Sequence, residues 1–373
     1  MRTFAILLAF SLSVFGQRHK LDVVDAQKPE GQLLQKVMQE DDPAKKAALM
    51  EQYASQFPKT AATPWVLEQL QGIYVKAQDP DKIIATGDKL LALDPGDPEA
   101  ALQCLKAAEA RHDVALIEKY DAVTSANARK MAAAPKPAAA DAVADWRQSV
   151  DYARQVDNYA DYALYSAALE SRGPKATIAL GEMLLQRSPT SDYAAKVREP
   201  LFVAYEQSGA NDKAIGFAEQ TLAKDQSSED MLLAVAYNYL QKKEQPEKVH
   251  AYSAKAIELM AARQKPAGMS DADWTARKNA ITGRAYYLDG AQYFAENKFA
   301  PADQSLRKAL PLVETNKDLK PEALYLLGVS DYKLEKIQDA ANYFHACAAI
   351  QSRFQAEATK DLARIRRDYR GVK

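Results

Sequence analysis

Two copies of one spacing pattern occupy residues 283–350 and constrain the fold more than any other feature of the sequence. The first copy consists of Tyr286, Gly290, Tyr293, Ala302, Leu306, Ala309 and Leu312, at offsets of 4, 3, 9, 4, 3 and 3. The second copy repeats these offsets with Leu324, Gly328, Asp331, Ala340, Phe344, Cys347 and Ile350. Offsets of three and four keep side chains on one face of an α-helix. Each copy therefore predicts two helices joined by a turn.

Small residues hold fixed places in both copies, with Gly290 and Gly328 in the first helix and Ala302 and Ala340 in the second. A glycine inside a helix costs about 1 kcal/mol relative to alanine, so its recurrence indicates that the two helices cross closely. Each copy lies in a segment of about 34 residues, and the pattern resembles the tetratricopeptide (TPR) repeat, W-x2-L-G-x2-Y…A-x3-F…P. One departure is Asp331, at a position where that repeat usually has Tyr.

Weaker copies extend the pattern along the chain. The segment at 84–91 recurs at 178–185, and each copy is followed four residues later by a proline. A TPR unit cannot bury its apolar face alone and stacks on its neighbours. The resemblance therefore implies an all-α, right-handed TPR-like helical-hairpin solenoid with a C-terminal capping helix. It would contain about eight helix pairs over 30–373, clearest at 283–316 and 321–354, with an Ala/Pro-rich insertion at 131–140.

The amino terminus predicts export. An apolar run from Phe4 to Phe15 follows Arg2 and precedes the polar residues 17–20. It is shorter than the roughly 20 residues that span a bilayer and fits a cleavable secretory signal. We interpret 1–16 as a signal peptide and 17–29 as a flexible leader, and we expect an exported, periplasmic protein; an uncleaved anchor or a core helix is the alternative.

Charge and cysteine content narrow the classes of partner. Lys and Arg total 49 against 50 for Asp and Glu, which gives a net charge of −1. Such a balance offers no general attraction to nucleic acid or to anionic membranes, so a protein or peptide partner is expected, without stable membrane insertion after signal cleavage. Cys104 and Cys347 lie near opposite ends of the predicted stack, which disfavours a disulfide between them. We interpret Cys347 as a buried thiol that acts as a small hydrophobic residue.

Sequence signatures of catalysis are not found. The four histidines lie in separate segments, and none has a second His or Cys at metal-ligand spacing. Phosphate-binding loops, dinucleotide-binding turns, nucleophile elbows and zincin helices also lack their motifs. We therefore predict a protein that is not an enzyme, with no catalytic residues, no metal ligands and no cofactor.

Tyrosine, with 19 residues, is the informative excess. Tyr286 and Tyr293 occupy the large-aromatic positions of the repeat and are expected in the core. In TPR proteins, first-helix residues beside those positions line the inner groove. Carried over to this sequence, the resemblance implies a partner-binding set of Tyr237, Arg284, Tyr287, Phe294, Tyr325 and Tyr332. The alternative is that these rings pack between neighbouring repeats.

The resulting functional prediction is a protein–protein interaction scaffold or adaptor in the bacterial cell envelope. Tyr and Arg are enriched at interface hot spots, which favours a protein or peptide in the concave groove. Tyr and Trp could also stack on sugar rings, so an envelope glycan or small-ligand binding protein is the main alternative. An enzyme with a site in a nonstandard position is the other.

Overall fold

The computed structural model describes residues 18–21, 24–369 and 371. The predicted signal peptide, 1–16, lies outside these residues. Within them, the secondary structure is helical and contains no strand. The helices are α1 (Pro29–Gln39), α2 (Pro43–Gln56), α3 (Thr63–Ala77), α4 (Pro80–Leu93), α5 (Pro98–Ala110), α6 (Val114–Ala132), α7 (Val143–Glu170), α8 (Pro174–Arg187), α9 (Asp192–Gln207), α10 (Asn211–Leu222), α11 (Glu229–Lys242), α12 (Pro246–Ala262), α13 (Asp271–Ala295), α14 (Phe299–Ala309), α15 (Leu319–Lys333), α16 (Ile337–Ala348) and α17 (Gln355–Asp368).

Asp-Pro pairs begin three of the early helices. The side chains of Asp42, Asp79 and Asp97 accept hydrogen bonds from backbone N–H groups in the first turn of α2, α4 and α5. The proline that follows each aspartate has no N–H to leave unpaired and already has a helical φ. Local sequence therefore fixes where these helices start.

The turns inside five of the hairpins share one backbone conformation. Each contains a residue with φ between 50° and 61°, in the left-handed region; these residues are Gln78, His112, Lys243, Asn297 and Glu335. The next N–H then donates to the carbonyl five residues earlier, as Lys336 does to Asp331 at 2.9 Å. This hydrogen bond is the hallmark of a Schellman C-cap. These five hairpins are thus closed by the same short turn.

The chain divides into two compact units, Met1–Ala204 and Tyr205–Lys373. In the first unit, the first helices of successive hairpins contact one another, α3 with α5 and α5 with α7. In the second, α11 contacts α13, which contacts α15. Successive second helices contact each other less than successive first helices do. Within each unit the first helices therefore lie on the more tightly packed side of the stack.

Helix α17 ends the second unit. Its residues Ala358, Leu362 and Ile365 are buried and belong to one apolar cluster with Phe344 of α16. Its other side carries exposed charges, as expected of the end of a repeat stack. The prediction of an all-α, TPR-like fold with a terminal helix is confirmed.

The close crossings predicted from Gly and Ala are also confirmed. Ala302 and Ala340 are fully buried. A Cβ added at Gly290 would lie 2.7 Å from the side chain of Leu306, and one added at Gly328 would lie 2.7 Å from Phe344. Contacts that short cannot exist between real side chains, so the two helices of each hairpin could not approach this closely with a larger residue.

Both cysteines are buried free thiols, which confirms the interpretation of Cys347 as a buried thiol. Cys347 is 0% exposed and packs in the apolar cluster beneath α17. Burial raises its pKa to about 11. The neutral thiol is therefore the stable form, as for other small apolar core residues.

Candidate functional site

The six residues predicted to bind a partner all lie on first helices of the second unit. Their positions are Tyr237 on α11, Arg284, Tyr287 and Phe294 on α13, and Tyr325 and Tyr332 on α15. Two of the pairs, Tyr287 with Phe294 and Tyr325 with Tyr332, are separated by seven residues and so lie two turns apart on one side of a helix. The partners of these side chains differ, and so does their access to solvent.

Tyr287 corrects the prediction. Its side chain is only 2% exposed, and its hydroxyl is hydrogen-bonded to Glu322 of the adjacent first helix, α15. Its neighbour Tyr286, which was expected in the core, is only half-buried. The reason is that the α13 residue facing α15 is enclosed by a neighbouring helix. Tyr287 thus packs between hairpins, and its assignment to an exposed groove position is wrong.

Tyr325 is also tied to the next first helix. Its ring stacks on Phe354 with centroids 5.3 Å apart, and its hydroxyl donates to Glu357 at 3.2 Å and to Asp361 at 3.3 Å. Burial, together with these two carboxylates, raises the pKa of Tyr325 to about 12. The ring therefore contributes to packing between α15 and α17, which was the alternative interpretation.

Tyr332 and Phe294 are half-buried. The guanidinium of Arg364 lies 5.1 Å from the Tyr332 ring centroid, and Tyr369 meets the same ring edge-on at 6.5 Å. Phe294 packs edge-on against Phe299 at 5.8 Å, across the turn between α13 and α14. Neither ring is freely presented to solvent.

Tyr237 and Arg284 form the most accessible part of the predicted set. Tyr237 is 43% exposed, and the guanidinium of Arg284 lies 5.9 Å from its ring centroid. Burial raises the pKa of the Glu206 carboxyl, and the positive charge of Arg284 counteracts part of that rise. An exposed ring beside a guanidinium is a combination that recurs at interface hot spots.

A second aromatic group, which sequence reasoning missed, lies in the first unit. We call it the tyrosine cluster, and it consists of Tyr159, Tyr162 and Tyr165 on α7 and Tyr193 on α9. Tyr162 lies 5.8 Å from Tyr159 and 5.7 Å from Tyr193, measured between ring centroids. Tyr165 is also 5.7 Å from Tyr193. The spacing of three residues on a long helix was the signal in the sequence.

The tyrosine cluster extends from the apolar core to the surface. Three of its rings pack against the apolar core of the first unit, whereas Tyr162 is 41% exposed. Leu169, two turns further along α7, is 48% exposed. Ammonium groups lie over two of the rings, Lys106 at 5.2 Å from Tyr159 and Lys196 at 5.1 Å from Tyr193. The surface is thus aromatic at its centre and cationic at its edge.

Hydrogen bonding separates the inner and outer rings of the cluster. The Tyr159 hydroxyl donates to Glu109 at 2.6 Å, and burial raises the pKa of that carboxyl. Within the part of the chain that the structure describes, the hydroxyls of Tyr162 and Tyr193 have no hydrogen-bond partner. Both hydroxyls therefore remain open donors, and the Tyr162 ring is also exposed to solvent.

One group in the described residues has the composition of a metal site. It comprises His19, Asp94 and Asp97, with His19 Nε2 3.2 Å from Asp97 Oδ2. Arg18 holds both oxygens of Asp94, at 2.6 Å and 3.1 Å, and lowers the pKa of that carboxyl. A guanidinium at the would-be ligand oxygen opposes a cation there. The group is a hydrogen-bonded network that holds residues 18–19 against the turn between α4 and α5.

No helix in the described ranges has the length and apolarity needed to cross a bilayer. No protein-family profile matches the sequence, and no curated protein matches it either.

Three of the solved structures that align with the chain are described here. The TPR domain of P58(IPK) is 11% identical over 92% of this chain and 98% of that chain, with a TM-score of 0.23. Yeast Tom70 is 16% identical over 92% and 73%, with a TM-score of 0.25. The Cut9–Hcn1 hetero-tetramer of APC/C is 13% identical over 92% and 84%, with a TM-score of 0.23. Scores this low carry no inference to this chain, whose TPR-like fold rests on its own repeated hairpins.

Proposed function

We propose that the protein is a non-enzymatic scaffold or adaptor that binds a protein or peptide partner on the exposed side of its first helices, in the bacterial cell envelope. The observation that carries this proposal is the tyrosine cluster. The location of the protein in the envelope rests on the predicted signal peptide at 1–16 and is part of the proposal.

The chemistry of the cluster favours a polypeptide partner. Tyr rings bring a large contact area at a small cost in side-chain entropy, and their hydroxyls bond to peptide groups. The exposed side chains of Tyr162 and Leu169 form an apolar centre. Lys106 and Lys196 provide a cationic rim. Interfaces of this composition concentrate their binding energy in a few central aromatic residues.

A crosslinking experiment tests the proposal. A photoreactive phenylalanine analogue replaces Tyr162 in one variant and Lys175, an exposed residue at the start of the second helix α8, in the control. Irradiation of intact cells should give a crosslinked protein adduct from position 162 and none from position 175. The identified partner is then purified, and its affinity is measured by calorimetry.

The affinity measurement decides the outcome. Tyr162→Ala combined with Tyr193→Ala should weaken partner binding at least tenfold, which corresponds to about 1.4 kcal/mol, while the circular dichroism spectrum stays unchanged. Equal affinity of wild type and double variant would contradict the assignment of this surface. Adducts to glycan in place of protein would favour the glycan-binding alternative.

A further inference from the structure

The second unit contains a cleft between the second helices α12 and α14. Its volume is about 450 Å³, within the usual range of small-molecule sites. Because α12 and α14 make weak contacts at most, one side of α13 lies uncovered between them. The lining residues are His250, Ala251, Ala254, Ile257, Tyr286, Asp289, Tyr293, Ser305 and Lys308.

The floor of the cleft comes from the repeat pattern itself. Tyr286, Asp289 and Tyr293 follow one another at three and four residues, so they form one line along α13. Both tyrosines were expected in the core, but each is only half-buried. One wall is low, because Ala251 and Ala254 of α12 carry small side chains that leave the rings uncovered.

The acidic groups of the cleft are already engaged. Asp289 accepts from Ser305 at 2.6 Å through one oxygen and lies 2.7 Å from His250 Nδ1 through the other. His250 Nε2 lies 3.3 Å from Glu296, whose other oxygen pairs with Lys298 at 2.7 Å. Both ring nitrogens of His250 thus face carboxylate oxygens. Both carboxylates at this end of the cleft therefore already have partners within the protein.

One cation of the cleft remains without an acidic partner. The ammonium of Lys308 lies 5.4 Å from the ring centroid of Tyr286, and within the described ranges of the chain no carboxylate pairs with it. The hydroxyls of Tyr286 and Tyr293 likewise have no hydrogen-bond partner among the described residues. Three donor groups thus line one cleft, which also has an apolar wall.

We propose that this cleft binds a small monocarboxylate with an apolar body. The carboxylate would lie against Lys308 and the tyrosine hydroxyls, and the body would rest on the Tyr rings, Ala254 and Ile257. Phosphate sites normally add several cations or free backbone N–H groups, whereas the floor here is the middle of a helix and the engaged carboxylates of Asp289 and Glu296 repel a dianion. The chemistry therefore favours a single negative charge.

Ligand-detected NMR on the full chain tests the proposal, with benzoate and hexanoate as carboxylate probes. Benzamide serves as the neutral control of the same shape, and phenyl phosphate serves as the dianion. Both carboxylates should bind with millimolar or tighter affinity, and each control should bind at least tenfold more weakly. Absence of binding by both carboxylates would overturn the proposal, and so would equal binding of benzamide.

Two variants locate the binding. Lys308→Met should reduce carboxylate affinity at least tenfold, whereas Lys317→Met, at an exposed lysine after α14, should leave it unchanged. Ala254→Trp, at an exposed position on the wall, should block the cleft and abolish binding without loss of the helical signal. Carboxylate binding that survives both Lys308→Met and Ala254→Trp would place the ligand elsewhere and refute the site. The outcome is independent of the tyrosine cluster, which carries the proposed function and lies in the other unit.

Discussion

Arg307 on α14 donates to the carboxylate of Asp331 on α15 at 2.7 Å, and Asp331 is 0% exposed. Asp331 stands where the repeat pattern usually has an aromatic residue. Lys336 lies 3.4 Å from its second oxygen, yet burial raises the pKa of Asp331 to about 6. In this repeat, a buried carboxylate paired with a half-buried guanidinium thus takes the position that a ring occupies in the family pattern.

Replacing Arg307 by methionine should destabilise the second unit. The change leaves the Asp331 carboxylate buried with only the longer Lys336 contact. Loss of the partner of a buried charge costs up to about 3 kcal/mol, and less where that partner is partly exposed, as Arg307 is. Urea unfolding followed by circular dichroism measures the loss. Lys333→Met, at an exposed position on α15, is the control. If both variants unfolded at the same urea concentration as wild type, the pair would have no role in stability.

Asp121 on α6 predicts a pH-dependent stability in the first unit. It is 0% exposed and pairs with Arg187, but its Oδ1 has no hydrogen-bond partner among the described residues. Burial raises its pKa from 3.8 to about 7. Between these values the folded state binds more protons than the unfolded state. The stabilising contribution is therefore complete below pH 4 and is lost as the pH rises through 7.

Asp121→Asn should remove that dependence, because the amide stays neutral. Relative to the variant, wild type should lose stability from pH 4 to pH 8 with a slope of at most about 1.4 kcal/mol per pH unit. Thermal melting across that range measures it. Asp151→Asn, at a side chain that is 68% exposed, should behave as wild type. Parallel pH profiles for wild type and Asp121→Asn would contradict the assignment.

Ala302→Glu should disrupt the second unit. Ala302 is 0% exposed at the crossing of α13 and α14, and a buried unpaired carboxylate costs several kcal/mol, about 3 or more. Hydrogen exchange should show lost protection around 283–350 while α3 to α7 stay protected, since each repeat contacts only its neighbours. Ala300→Glu, at an exposed position two residues earlier, is the matched control. Unchanged protection in Ala302→Glu would mean that the crossing tolerates a charge.

The sequence predicted the fold well because the repeat records its packing in local spacing. Gly290 and Ala302 mark where helices cross, and Asp-Pro pairs mark where helices begin. The surface was harder to predict. Whether Tyr286 or Tyr287 is enclosed depends on how the next hairpin packs against α13, and a difference of one residue rotates a side chain by about 100° around the helix.

The tyrosine cluster also shows that contacts between residues far apart in the chain are hard to predict from the sequence. Its three α7 tyrosines recur every third residue, which is visible in the sequence, but their contact with Tyr193 depends on packing between residues far apart in the chain. The Arg307–Asp331 pair is a similar case, since a lone Asp in a core position gives no indication of which cation it meets.

The contrast between Tyr287 and Tyr237 tests the corrected surface of the second unit. Tyr287→Ala removes a ring that is 2% exposed and should cost about 3 kcal/mol, as other buried aromatic truncations do. Tyr287→Phe removes only the hydroxyl bonded to Glu322 and should cost about 1 kcal/mol. Thermal melting of both variants measures these losses.

Tyr237→Ala should behave in the opposite way. At 43% exposure, the ring contributes little to folding, so the melting temperature should stay close to that of wild type, with a change in stability within about 0.5 kcal/mol. If Tyr237 and Arg284 contact the partner, affinity for the crosslinked protein should fall by about 1 kcal/mol or more. Loss of stability in Tyr237→Ala equal to that in Tyr287→Ala would instead mean that Tyr237 packs between hairpins. Unchanged affinity with unchanged stability would restrict partner binding to the tyrosine cluster of the first unit.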